Sequence, residues 1–159
     1  MLSIGALDAV YPDARFVMTH RDVNKVLASV SALYGTLAGV LTDRRDPLAI
    51  GAHNRIVWRT ALERLIDFRD RGNEHRFFDL SFEAVQHDPI GQVATLYAAL
   101  GDQLTDQARH RMEVWWAERA SDRSGPGRYP PEEFGLDAAS VAAEFAFYSE
   151  RFGVPVDIV

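Results

Sequence analysis

The sequence predicts an α/β fold in which two parallel strands have mostly helical surroundings. Two short stretches, residues 15–20 and 76–82, have the apolar composition of buried strands. Between and after them, apolar residues recur every three or four positions, which is typical of amphipathic helices. Because the strands are separated by helical segments, the connection is a crossover and the strands are expected to be parallel.

Turn signals bound the first strand on both sides. The first ten residues resemble the end of a helix, and residues 11–14 (YPDA) predict a turn because proline stops a helix. After the strand, Asp22 is a suitable N-cap for a helix whose apolar positions continue to Leu37. This part of the chain therefore reads as strand, tight turn and helix.

The middle of the chain predicts a long helix, a strand and a shorter helix. Apolar positions indicate a helix over residues 48–71, with Gly72 placed to terminate it. The second strand is rich in aromatic side chains. Residues 88–89 (DP) supply an N-cap and a first-turn proline for a helix that ends near Gly101.

The last third of the chain is predicted to be helical around one irregular stretch. Thr105 begins a helix, residues 121–131 are too rich in glycine and proline to be regular, and Asp137 begins a closing helix. The sequence contains no internal repeat. We expect residues 1–159 to form one domain, since 47% of the residues are hydrophobic and 25% are charged.

Composition excludes several classes of function. The chain has no cysteine, so it has no disulfide, thiolate metal site or cysteine nucleophile, and its five histidines lack metal-ligand spacing. A net charge of -6 argues against a nucleic-acid surface, although a few local cations can still bind a small anion. No run of about 18 apolar residues occurs, so we expect no membrane span and a cytoplasmic protein.

The end of the first strand is the first candidate binding site. Anionic ligands bind where strands end and helices begin in open α/β sheets, and Arg21 lies at that point. Its planar guanidinium suits a phosphate, and Ser29 follows two helical turns later. Alternatively, Arg21 is a surface arginine and Ser29 a small residue that permits close helix packing. His20 is expected to make a structural hydrogen bond.

Three motifs in order resemble a known family. Residues 11–30 (YPDARFVMTHRDVNKVLASV) resemble the segment of sulfotransferases that binds the 3'-phosphate of 3'-phosphoadenosine 5'-phosphosulfate, abbreviated PAPS. Residues 82–89 (FEAVQHDP) and 128–136 (RYPPEEFGL) resemble two later motifs of that family. The similarity is greatest to a branch common in actinobacteria.

The resemblance implies a set of donor-binding residues and no metal. Arg21 and Ser29 correspond to direct ligands of the 3'-phosphate, and Arg123 with Gly125 corresponds to a third clamp, although a solvated loop is an equally good interpretation. Phe82 replaces a tyrosine that in some relatives contacts the nucleotide, so stacking survives and the hydroxyl contact does not.

The resemblance also implies an incomplete P-loop-NTPase-like sulfotransferase fold. The family opens with a strand, a glycine- and serine-containing loop and a helix that hold the 5'-phosphosulfate, and nothing in the sequence matches them. We therefore expect the C-terminal part of a sulfotransferase domain, with the first strand left apolar and unpaired at one edge, where the chain can self-associate.

The implied reaction moves a sulfuryl group from PAPS to a hydroxyl or amine, with 3',5'-adenosine diphosphate leaving. The sequence identifies neither the acceptor nor the general base. The competing interpretation is a catalytically inactive helical interaction module derived from the same fold.

Overall fold

A computed structural model describes residues 1–119 and 130–157. The strands are β1 (Phe16–His20) and β2 (Phe77–Ser81). The helices are α1 (Ile4–Val10), α2 (Val23–Leu41), α3 (Pro47–Phe68), α4 (Phe82–His87), α5 (Pro89–Leu100), α6 (Asp106–Glu118), α7 (Ala138–Glu144) and α8 (Ala146–Phe152). A π-helical turn (Arg69–Asn73) and a 3-10 turn (Glu74–Arg76) join α3 to β2, and a second 3-10 turn covers Pro131–Phe134.

The two strands form a parallel pair. The register runs from Phe16 opposite Phe77 to His20 opposite Ser81, and α2 and α3 make the crossover between the strands. The predicted α/β class with two parallel strands is confirmed. Within the described residues each strand pairs along one edge only. Both strands end at the same side of the sheet, which places the residues that follow them next to each other.

The predicted N-caps are present. The side chains that accept a hydrogen bond from a first-turn amide are those of Asp22, Asp88, Thr105 and Asp137. The Asp22 Oδ1 atom accepts from the Asn24 amide at 3.0 Å. These caps satisfy amides that a helix start leaves without partners, so the sequence signals located the helix starts correctly.

The structure differs from the sequence prediction in three elements. The motif at residues 82–89 contains a short helix, α4, which was not predicted and which Ser81 caps. The closing helix is two helices, because the backbone of the fully buried Phe145 leaves helical geometry at φ -105° and ψ 14°. Helix α3 ends at Phe68, and Gly72 lies in the following turn at φ 97°. In the last two cases a turn divides a continuous periodic pattern.

The core lies between α2, α3 and the C-terminal helices. Its buried members include Leu27, Leu62, Leu65, Val141, Phe145 and Tyr148. Gly51 of α3 allows the turn at residues 131–134 to approach closely, since a Cβ atom there would lie 1.9 Å from the Phe134 carbonyl oxygen. This packing joins the C-terminal segment to the strand–helix unit at the start of the chain.

The second half of α2 exposes an apolar stripe. Its members are Leu33, Tyr34, Leu37, Val40 and Leu41. By length and composition alone, α2 is the one helix in the described parts of the chain that is long and apolar enough to cross a membrane. Core helices of soluble proteins pass the same test, and the first half of α2 is packed in the core at Leu27 and Ser31.

Candidate anion-binding cleft

A cleft of about 240 Å³ opens where the two parallel strands end. The residues that follow β1 form one wall, the start of α4 forms another, and the end of α8 with the next residues forms the third. Its lining includes Arg21, Lys25, Phe82, Phe152 and Val154. The position matches the crevice at the carboxyl ends of strands where open α/β sheets bind ligands.

Arg21 is the cation in this cleft that has no acidic partner. Its guanidinium carbon lies 4.3 Å from the centre of the Phe82 ring, in cation–π geometry. Within residues 1–119 and 130–157, the guanidinium makes no hydrogen bond and no salt bridge. Lys25 also lines the cleft, but it forms a salt bridge with Asp157. The donors of Arg21 are therefore available to an anionic ligand.

A buried arginine supports the floor of the cleft. Arg69 is 2% exposed and donates to both oxygens of Asp79, at 2.9 and 2.6 Å, and to both oxygens of Glu74, at 2.8 and 2.7 Å. Its guanidinium carbon also lies 4.4 Å from the ring centre of Phe77 and 4.8 Å from that of Phe152. Two bidentate contacts and two aromatic rings fix this side chain in one geometry.

Both ring nitrogens of His20 have hydrogen-bond partners. Nε2 lies 2.8 Å from Asp79 Oδ1, and Nδ1 lies 3.0 Å from the Tyr148 hydroxyl. The imidazole stacks on Phe152 with the ring centres 4.3 Å apart. With neither nitrogen free to take a proton from a substrate, His20 has the structural role that its place at a strand end indicated.

Charge and burial shift three pKa values in this cluster. Burial acts to raise the pKa of Asp79, but hydrogen bonds from Arg69 and His20 outweigh it and hold that pKa below its ordinary value. The hydrogen bonds from Arg69 also lower the pKa of Glu74. Burial raises the pKa of Tyr148 to about 12, so its hydroxyl stays protonated at neutral pH.

These shifts predict that stability falls with acidification. A carboxylate whose pKa is lowered by folding stabilises the protein above its unfolded pKa, and that contribution is lost as pH falls through its folded pKa. For Asp79 and Glu74 we expect the free energy of unfolding to begin falling below about pH 5. Urea unfolding at a series of pH values measures the slope.

The slope should be shallower in Asp79→Asn, because asparagine has no carboxylate to protonate. Asp102→Asn is the matched control, since Asp102 is exposed and its side chain makes no hydrogen bond or salt bridge with another described residue. If the free energy of unfolding depends on pH equally in the unmodified protein and in Asp79→Asn, the role assigned to the Arg69 and His20 contacts is contradicted.

The structure brings two of the five predicted donor-binding residues together. Arg21 and Phe82 line the cleft and contact each other. Ser29 is half-buried on α2, one helical turn after Lys25, and does not line this cleft as formed by the described residues. Arg123 and Gly125 lie outside the described residues. The ligand roles of all five stay predictions.

Sequence reasoning missed the supporting residues of the cleft. These residues come from three elements: Arg69 from the π-helical turn after α3, Asp79 from β2 and Tyr148 from α8. No short motif links them. The interval between His20 and Tyr148 is 128 residues. The available signal was an aspartate in the middle of a strand rich in apolar residues, since a charged side chain in such surroundings favours a polar partner.

Comparison with a family profile covers most of the chain. The sequence profile described as "Sulfotransferase family" matches residues 1–106, which include β1, β2 and the start of α4. The chain belongs to the sulfotransferase family. No match was found among curated proteins.

Two solved sulfotransferase structures share the fold. The chain is similar to sulfotransferase STF9 from Mycobacterium avium, with a TM-score of 0.87 and 28% identity over 98% of this chain and 40% of that chain. It is also similar to sulfotransferase STF1 from Mycobacterium tuberculosis H37Rv, with a TM-score of 0.69 and 28% identity over 91% of this chain and 36% of that chain. The expected resemblance to an actinobacterial branch is confirmed.

The chain therefore spans about 40% of the length of the sulfotransferase it matches with the higher TM-score. This share agrees with the interpretation of the sequence as a portion of a sulfotransferase domain. No group of three or more histidine, aspartate or glutamate side chains in the described part of the chain is arranged to hold a metal ion.

Proposed function

We propose that this chain supplies the 3'-phosphate-binding part of a sulfotransferase whose sulfuryl donor is PAPS. The observation that carries the proposal is Arg21, which lies in the cleft at the strand ends with its guanidinium on the Phe82 ring and without an acidic partner among the described residues. An unpaired guanidinium in a cleft is a strong phosphate ligand, because its planar set of N–H donors matches phosphate oxygens.

The helix start beside Arg21 favours an anion, although the carboxylates of Asp22, Asp79 and Glu83 also line the cleft. Arg21 lies two residues before α2, whose first turn carries the partial positive charge of a helix start. The Asp22 carboxylate caps that helix and offsets part of the charge. One of its oxygens accepts from the Asn24 amide and the other accepts from the Asp157 amide at 3.1 Å. The carboxylate is thus occupied by backbone donors.

Phe82 contributes a ring contact here, whereas the tyrosine that it replaces in the family motif contributes a hydroxyl contact. Its ring supports the Arg21 guanidinium at 4.3 Å, which limits the directions in which the guanidinium can point. Ser29 remains part of the proposal as a second phosphate ligand. In support, Ser29 and Lys25 are four residues apart on α2 and so lie on the same side of that helix.

In the proposed reaction, the S–O bond between the sulfuryl group and the donor phosphate breaks, and a new bond forms to the acceptor, S–O for a hydroxyl or S–N for an amine. The acceptor proton goes to a base, and 3',5'-adenosine diphosphate leaves. This chain binds and orients the nucleotide, which is how positioning contributes to group transfer. A cytoplasmic location belongs to the same proposal, as does the absence of a nucleic-acid partner, given the net charge of -6.

Arg21→Ala is expected to remove most of the affinity for 3',5'-adenosine diphosphate. A charge-assisted hydrogen bond to phosphate contributes about 1.5 to 3 kcal/mol, which corresponds to a loss of about tenfold to a hundredfold. Isothermal titration calorimetry of both proteins measures the change. Arg44→Ala is the matched control, since Arg44 is exposed in the connection between α2 and α3.

Adenosine 5'-monophosphate provides the complementary test, because it lacks the 3'-phosphate. If Arg21 binds that phosphate, removing the phosphate and removing the guanidinium should not have additive effects. Unchanged affinity in Arg21→Ala would refute the proposed site. A folded chain that binds no adenine nucleotide would favour the inactive interaction module.

A further inference from the structure

We propose that Tyr148 of α8 is a positioning residue for Arg21, acting through His20, the residue that directly precedes Arg21. The inference rests on the proposed function, because it takes Arg21 as the phosphate ligand. It adds a residue from the far end of the chain to the site. Tyr148 is buried and makes no contact with the space in which the ligand would lie, as it is absent from the lining of the cleft.

The hydrogen-bond directions follow from the chemistry of the cluster. The Asp79 carboxylate, paired with Arg69, can only accept hydrogen bonds, so the His20 Nε2 atom must donate to it. Nδ1 and the Tyr148 hydroxyl share the second hydrogen bond of the ring across 3.0 Å, with the hydroxyl as the donor when the imidazole is neutral.

The Tyr148 hydroxyl holds the His20 ring, and His20 is the residue directly before Arg21. One buried hydroxyl of α8 thus fixes the last residue of β1. Through His20 and Asp79 the same chain of hydrogen bonds reaches Arg69, which is 2% exposed. The end of β1 is therefore held by a continuous hydrogen-bond network, in which Asp79 is the partly exposed member.

Such an anchor matters because Arg21 lies in the short link between β1 and α2. Its guanidinium has no polar partner among the described residues, so the backbone and the Phe82 ring are what direct it. Holding a ligand-binding group in its bound geometry lowers the entropy that binding must offset. Loss of the anchor should therefore weaken phosphate binding without removing any phosphate ligand.

Tyr148→Phe tests the inference, since it keeps the ring contacts with His20 and Phe152 and removes only the hydroxyl. We expect the affinity for 3',5'-adenosine diphosphate to fall about threefold to tenfold by calorimetry. In an Arg21→Ala background the same substitution should have no further effect, because the group that it positions is gone.

Ser31→Ala is the matched control. It removes another buried hydroxyl, which accepts a hydrogen bond from Asn54 Nδ2 at 3.0 Å in the core and lies outside the cleft. This variant should lower stability and leave the affinity unchanged. An equal loss of affinity in Ser31→Ala would show that the Tyr148 effect is general destabilisation, and would overturn the inference.

The outcomes separate the inference from the proposed function. In two cases the positioning role is wrong and the phosphate site stands. In the first, Arg21→Ala loses affinity and Tyr148→Phe keeps it. In the second, Tyr148→Phe weakens binding as much in the Arg21→Ala background as in the unmodified chain. If the unmodified chain does not bind the nucleotide, both fail.

A measurement on the unmodified protein covers the case in which Tyr148→Phe does not fold. Hydrogen exchange followed by NMR reports on the His20 ring N–H directly, because an N–H that donates within a hydrogen-bond network exchanges slowly. We expect strong protection of this proton. Rapid exchange would show that the His20 ring is not held in the network and would overturn the inference.

Discussion

Arg69→Ala is expected to destabilise the protein by about 1.5 to 3 kcal/mol, the range for hydrogen bonds to charged groups. The substitution leaves the Asp79 and Glu74 carboxylates without the donors that they now share, and opens a space between Phe77 and Phe152. The free energy of unfolding of a domain is commonly about 5 to 15 kcal/mol, so this loss is a large part of it. Urea unfolding followed by circular dichroism measures the loss.

Arg71→Ala is the control for charge and helix propensity. Arg71 is only two residues away, but its side chain is 73% exposed and pairs with Asp67 at the surface. Exposed pairs contribute between about 0 and 1 kcal/mol, so this variant should unfold close to the midpoint of the unmodified chain. Equal midpoints for the two variants would mean that the buried Arg69 contacts do not support the fold.

The second large effect concerns catalysis by the 159-residue chain on its own. We expect no measurable sulfuryl transfer from PAPS to a panel of hydroxyl acceptors. The sequence has no glycine- and serine-containing loop to stabilise the charge that develops on the transferring group, and losing one such donor costs about a hundredfold to a thousandfold in rate. Release of 3',5'-adenosine diphosphate over time is the measurement, with Arg21→Ala as the background.

The same sample should self-associate. Within the described residues β1 is paired only with β2, and Val17 on its open face is 47% exposed. Unpaired strand edges and apolar patches recruit other chains, and the stripe on the second half of α2 adds to the exposed surface. Light scattering gives the mass. A monomeric chain that turns over PAPS would refute the interpretation of this sequence as an incomplete sulfotransferase.

The two parts of this prediction separate two interpretations of the chain. Nucleotide binding without transfer would support a sulfotransferase portion that retains its 3'-phosphate site. Self-association without nucleotide binding would support the interaction module. The length comparison, in which this chain covers 40% of STF9, is compatible with both.

The sequence by itself determined most of the elements and identified Arg21 as a candidate ligand. Apolar periodicity predicted both strands and the long helices, and Asp22, Asp88, Thr105 and Asp137 located helix starts correctly. These features depend on residues within a few positions of each other, so the printed order of residues is sufficient to find them. For the same reason, Arg21 was identified from the turn that follows its strand.

Only the tertiary structure decided what surrounds Arg21. Its stacking on Phe82, and the network that joins Arg69, Asp79, His20 and Tyr148, bring together residues from β1, β2, α4, α8 and the end of α3. Each contact has a weak local signal, because a buried polar side chain is recognised by the partner that satisfies it and not by its neighbours in the chain. The partner is known only when the chain has folded.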